Sequence, residues 1–247
     1  MKPFLLLTTR PEDDVARAEA ASFQRFSGLR HDDLRWVRIE REDAPAIRAE
    51  EISGIYLGGS PFTVSDPAET KSPHQIRAER ALAAVLDEVM EQDIPFLGAC
   101  YGIGTLGSHV GATIDRTHGE PLGAVPITLT EAGREDPVVI EAGLPEVFTG
   151  LVGHKEAVSA LPSHATVLAT GEHCPVQMFR VGTRQYATQF HPELDVPAVM
   201  ERARAYRDHG YFDPGEMEDI FALLGRRTAD HPPHLLRAFA TVHGRGR

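Results

Sequence analysis

Cysteine is nearly missing from this sequence of 247 residues: it occurs only at Cys100 and Cys174. A chain long enough to bury a substantial core does not depend on one disulfide, so free thiols are expected. Long apolar runs are missing as well. None approaches the roughly 18 uninterrupted residues of a membrane span, and the opening Met1-Lys2-Pro3-Phe4-Leu5-Leu6-Leu7 turns polar too soon for a secretion signal. The expected location is the cytoplasm. There is no basic excess either, with 25 Lys and Arg against 36 Asp and Glu and a net charge of -11. That balance argues against a nucleic-acid or anionic-membrane surface and favours a small-molecule substrate or a protein partner. A Gly-x-x-x-x-Gly-Lys-[Ser/Thr] phosphate loop, internal repeats and low-complexity linkers are all lacking. The histidines His31, His74, His109, His118, His164 and His173 show no metal-like pairing on a predicted helix, so neither metal nor cofactor is expected.

What is present is an alternation of strands and helices. Phe4 to Thr8, Leu34 to Ile39, Gly54 to Leu57 and Pro95 to Gly98 read as strands, and Asp13 to Phe26 and Ile76 to Glu91 as helices. A short glycine-rich helix is predicted over Ile103 to Val110. Beyond Ala112 the pattern turns to strands at Ile127 to Thr130, Val138 to Ile140, Thr166 to Ala169, Val176 to Val181 and Arg184 to Phe190. Helices return at Val196 to His209 and Asp213 to Leu224. This order predicts an α/β fold of three layers, with a mostly parallel central sheet and a smaller antiparallel portion. A single domain is expected over residues 1–247, with its core in about 1–210 and a helical extension and tail in about 211–247. The basic stretch from Arg237 to Arg247 reads as a frayed tail. His231-Pro232-Pro233-His234 reads as a proline-stiffened loop.

Two segments carry candidate chemistry. Gly98-Ala99-Cys100-Tyr101-Gly102 has the form Gly-x-nucleophile-x-Gly, which exposes a side chain on a strained strand-to-helix turn while small neighbours avoid a clash. A helix N-terminus there would favour the thiolate of Cys100 and leave the Tyr101 N–H free to bind an oxyanion. The alternative is a buried structural cysteine in a glycine-rich turn. Gln189-Phe190-His191-Pro192-Glu193 follows a predicted strand. In an extended segment His191 and Glu193 face one side, where the carboxylate can hold the imidazole in a useful tautomer. Cys174, beside Pro175, lacks such an elbow and reads as a structural thiol.

Together these segments resemble the class I glutamine amidotransferase family, whose signature is a Gly-x-Cys-x-Gly elbow followed about 90 residues later by His-Pro-Glu. Leu57-Gly58-Gly59-Ser60-Pro61 is similar to the family's oxyanion loop, and Gly153-His154-Lys155-Glu156 to its loop bearing a histidine near the substrate. The resemblance spans roughly residues 50 to 195 and implies a flavodoxin-like fold. It also implies Cys100 as nucleophile, His191 as base and acid, and Glu193 as orienting carboxylate. Gly59 and Tyr101 would be oxyanion donors, with Gly58 and His154 at the substrate. The implied reaction takes glutamine to glutamate and ammonia through a γ-glutamyl thioester, the ammonia passing to a synthetase that here would be a separate subunit. Members commonly carry glutamine four residues after the nucleophile. This chain has Gly104, which opens a second reading, a γ-glutamyl hydrolase or peptidase using the same trio. A third is a catalytically quiet binding or regulatory subunit.

Overall fold

The computed structural model of the chain describes residues 2–244. Its centre is β1 (Phe4–Thr8), buried along its whole length. Phe4 and Leu6 point into one core and Leu5 and Leu7 into another, because successive strand residues face opposite sides of a sheet. A strand apolar on both faces requires cover on both. That cover comes from α1 (Asp13–Ser27), which packs on one face and ends at Gly28 with φ 69°. On the other face lies α2 (Pro73–Glu91), opened by Ser72, whose hydroxyl accepts from the Gln75 N–H.

The remaining strands are β2 (Leu34–Arg38), β3 (Gly54–Leu57), β4 (Phe96–Ala99), β5 (Thr113–Asp115), β6 (Glu120–Leu129), β7 (Val147–His154), β8 (Ala157–Ala160), β9 (Ala165–Gly171), β10 (Met178–Val181) and β11 (Gln185–Thr188). Nine of them form one sheet in the order β2-β1-β3-β4-β11-β10-β9-β6-β7, and β5 pairs with β8 separately. The pairings from β2 through β11 are parallel, and those from β11 to β7 antiparallel. The expected α/β architecture, a parallel sheet carrying additional antiparallel strands, is the observed one. Helices α3 (Tyr101–His109), α4 (Glu131–Arg134), α5 (Pro137–Ala142), α6 (Val196–Ala205), α7 (Met217–Leu224) and α8 (His234–Gly244) complete the fold. Among the described residues no helix is long and apolar enough to cross a membrane.

Two expectations are corrected. Val138 to Ile140 form part of α5 rather than a strand. The Asp136 carboxylate accepts from the Val138 and Val139 N–H groups, Pro137 starts the helix and Gly143, at φ 62°, ends it. Capping at both ends overrides the strand preference of three β-branched residues. The stretch from Arg237 is not a frayed tail: residues up to Gly244 lie in α8, and Arg245 to Arg247 fall outside the described residues. Helix α8 buries Leu235, Leu236, Ala238 and Phe239 against the central sheet, and the Tyr56 hydroxyl donates to the Leu236 carbonyl at 2.7 Å. The Phe239 ring is fully buried, 5.3 Å from Tyr56 and 6.1 Å from Phe4 between centroids. Phe239→Ala should therefore cost about 3–5 kcal/mol of stability, measured as a lower urea midpoint, whereas a detachable extension would leave that midpoint unchanged.

Candidate active site

Three adjacent parallel strands deliver the principal residues to one sheet edge. Leu57 of β3 pairs with Gly98 of β4, and Ala99 of β4 pairs with Thr188 of β11. The chain leaves these strands as Gly58-Gly59, as Cys100 and as Gln189-Phe190-His191. They therefore emerge side by side at the carboxyl ends, where open α/β sheets form their crevice.

Cys100 adopts φ 51° and ψ -90° between β4 and α3, a conformation that L-residues rarely occupy. Its N–H donates to the Thr188 carbonyl at 2.7 Å, which fixes the turn to β11. A Cβ on Gly98 would lie 2.9 Å from the Gly102 Cα, so the elbow closes only because that position lacks a side chain. Gly59 is constrained likewise, since a Cβ there would sit 2.9 Å from Arg10 Nη2, 3.1 Å from His191 Cε1 and 3.7 Å from Cys100 Cβ. The imidazole and the thiol-bearing carbon thus flank one point beside Gly59. Among the described residues neither the Gly59 nor the Tyr101 N–H donates a hydrogen bond, so both remain free beside Cys100.

His191 Nδ1 lies 2.7 Å from Glu193 Oε1 in a buried contact. Burial pulls the imidazole pKa down, but the charges of Glu193 and Cys100 outweigh it and raise the value to about 9. Burial acts on Glu193 in the opposite direction, yet His191 and then Arg202 hold its carboxyl well below the usual range. Glu193 Oε1 also accepts from Arg202 Nη1 at 2.7 Å. Arg202 Nη2 lies 3.3 Å from Glu19 Oε1, which receives Arg10 Nε at 2.7 Å. The trio is therefore one end of a buried chain of alternating charges running from His191 through Glu193, Arg202 and Glu19 to Arg10.

Sequence reasoning missed Arg10, Glu19 and Arg202. Arg10 carries a positional signal, since it follows a central strand at the edge where sites form. Glu19 and Arg202 look like ordinary helix residues, because nothing local marks a charge as buried. His154 lines a cavity beside Cys100, but both its nitrogens are engaged: Nδ1 lies 2.8 Å from the Glu156 carbonyl and Nε2 2.9 Å from Glu120 Oε2. It forms wall rather than a free substrate contact. Gly58 packs against the Glu19 carboxylate, which would lie 2.5 Å from a Cβ there.

Beside Gly104 the carboxylate of Glu156 fills the space a larger residue would use, 3.3 Å from a Cβ at that position, and accepts from the Val64 and Ser65 N–H groups at 2.7 Å each. Glu120, His154 and buried Cys174 bring one ligand-type atom each within 4.8 Å of one another. Burial pushes the Cys174 thiol up to about 12, and Glu120 Oε2 already accepts from Gln177 at 2.7 Å, so the cluster is satisfied by hydrogen bonds.

The family model described as "Glutamine amidotransferase class-I" matches residues 27–198. A putative glutamine amidotransferase-like protein, YfeJ, from Salmonella typhimurium is 29% identical over 73% of this chain and 73% of its own length. A GMP synthase [glutamine-hydrolyzing] from Lactobacillus delbrueckii subsp. bulgaricus is 32% identical over 60% of this chain. The match spans only 26% of that enzyme. Among solved structures, a glutamine amidotransferase from Thermotoga maritima superposes with a TM-score of 0.76 at 19% identity, covering 100% of both chains.

The raised His191 pKa has a consequence for stability. The ordinary value near 6.5 applies to the unfolded chain, so the stabilisation is complete below pH 6.5 and is lost as pH rises through about 9. A pH series of urea denaturation should show a decline on the order of 3 kcal/mol over that interval. His191→Gln should flatten this decline, and an equal slope in both proteins would contradict the assignment.

Proposed function

This chain belongs to the class I glutamine amidotransferase family, and from that premise we propose that it hydrolyses a γ-glutamyl side-chain amide through a thioester on Cys100. The observation that carries this reading is the placing of His191 Cε1 and Cys100 Cβ around one point beside Gly59, with His191 Nδ1 held by Glu193. An imidazole oriented in this way holds the proton that the thiol gives up.

The sulfur of Cys100 attacks the amide carbon, forming the S–C bond, and the carbonyl oxygen becomes an oxyanion that the Gly59 and Tyr101 N–H groups receive. His191 donates its proton to the departing nitrogen as the C–N bond breaks, leaving a γ-glutamyl thioester. The neutral imidazole then takes a proton from water, whose oxygen attacks the thioester. Glutamate departs and the proton returns to sulfur. Glu193 orients the ring and stabilises its charged form.

With glutamine as substrate the leaving group is ammonia. Similarity to proteins named GMP synthase [glutamine-hydrolyzing] supports delivery of that ammonia to a synthetase unit.

Ammonia release from glutamine, with and without cell extract, should fall at least about 10³-fold in Cys100→Ala and Cys100→Ser, and comparably in His191→Ala. Far-UV circular dichroism should be unchanged. Glu193→Gln should lose roughly 10²-fold less than Cys100→Ala. Full amide hydrolysis by Cys100→Ala would rule the mechanism out, whereas neither ammonia release from glutamine nor glutamate release from γ-glutamyl peptides by any form of the protein would favour a quiet regulatory subunit.

A further inference from the structure

Two cavities meet at Cys100, sharing Ser60, Gly153 and Tyr211 in their walls, and they differ in chemistry. The first passes Tyr101 and Gly104 and presents Thr63, Lys155, Glu156 and Gln189. These polar and charged side chains suit the α-amino and α-carboxylate ends of a γ-glutamyl group. The second lies on the His191 side and is a small cavity of about 50 Å³ that opens to solvent. Leu122, Val152, Leu194, Val199, Ala203 and Phe212 line it, drawn from β6, β7, α6 and the segments that flank α6.

The reaction assigns one end of the substrate to each cavity. His191 must reach the leaving nitrogen to protonate it, so whatever that nitrogen carries extends into the cavity that His191 lines. Ammonia carries nothing and gains nothing from an apolar wall, whereas a hydrocarbon substituent is stabilised by leaving water there. Apart from His191 itself, the charged side chains lining this cavity among the described residues are Arg10 and Arg202. Both are held by the buried carboxylates Glu19 and Glu193, and no carboxylate faces the space to accept a cationic tail.

We infer that the substrate is an N-substituted γ-glutamyl amide whose amine carries a small apolar group, and that the product released on the His191 side is that amine rather than ammonia. The inference rests on the thioester reading above. The C–N bond that breaks, the S–C bond that forms and the proton that His191 donates are the same. Water again resolves the thioester, giving glutamate and the free amine. The substituent is either an apolar amino acid or a simple alkylamine.

Glutamate release from γ-glutamylleucine, γ-glutamylisopentylamide, γ-glutamylglutamate and glutamine separates these cases. The purified protein should cleave at least one of the two isopentyl-like substrates with kcat/KM at least tenfold above glutamine and above γ-glutamylglutamate. A faster leucine arm identifies an amino-acid source, and a faster isopentylamide arm an amine. In Leu122→Trp, which fills the apolar cavity from a half-buried position, the ratio of the favoured substrate to glutamine should fall at least tenfold. Glutamine cleaved as fast as both apolar amides, or a ratio unchanged in the folded variant, would overturn the inference. Labelling of Cys100 by an electrophilic glutamine analogue is measured in parallel. Labelled Cys100 with no preference for apolar amides overturns the inference alone, whereas neither labelling nor turnover overturns the thioester reading with it.

Discussion

Parallel hydrogen bonding between β4 and its two neighbours is the constraint on which the site depends. Leu57, Gly98, Ala99 and Thr188 stand in register, so the segments that follow these strands leave the sheet together. A slip of one residue would turn Ala99 and Thr188 to opposite faces and carry the thiol away from the imidazole. The register is secured by apolar packing on both faces rather than by the site itself, since Tyr56 and Leu97 bury into one core and Ile55, Leu57 and Phe96 into the other. The backbone strain at Cys100 is tolerated because Gly98 and the Thr188 carbonyl leave the turn no other arrangement.

The second layer of organisation is electrostatic. Burying Glu19, Glu193, Arg10 and Arg202 together costs desolvation, and removing one member of such a set commonly costs about 3–5 kcal/mol because its partners become uncompensated. Its value here is positional. Arg202 on α6 and Glu193 after β11 are joined at 2.7 Å, and Arg10 after β1 meets Glu19 on α1 at the same distance. The loop bearing Gly59 is packed against Arg10, so one network fixes the carboxylate that orients His191 and the wall behind the free N–H groups. Two of its oxygens, Glu19 Oε2 and Glu193 Oε2, have no hydrogen-bond partner among the described residues.

Much of this was legible from residue order alone. The runs at Phe4 to Thr8 and Gly54 to Leu57 are strands over those same residues, because an apolar segment bounded by turn residues has few alternatives. Cys100, His191 and Glu193 could be found because their spacing and their glycine and proline neighbours are local features. Long-range features were not legible. Strands β5 and β8 carry small and polar residues, β7 is interrupted by Gly150 and Gly153, and all three find partners far along the chain, while β6 extends seven residues before Ile127 through Glu120, Pro121 and Gly123, which read as a loop in isolation. Helix α8 was hidden by its terminal position and basic ends, although Leu235, Leu236 and Phe239 share one face. Arg202 acquires its part only when α6 folds over the sheet edge.

The account stands or falls on a covalent bond to one sulfur. Acid quenching of the protein during turnover, followed by mass spectrometry of the peptide containing residue 100, should find that peptide heavier by one glutamyl group in a linkage cleaved by hydroxylamine. The same adduct should vanish in Cys100→Ala. Turnover with that peptide unmodified at every quench time, or with the adduct on Cys174, would contradict it.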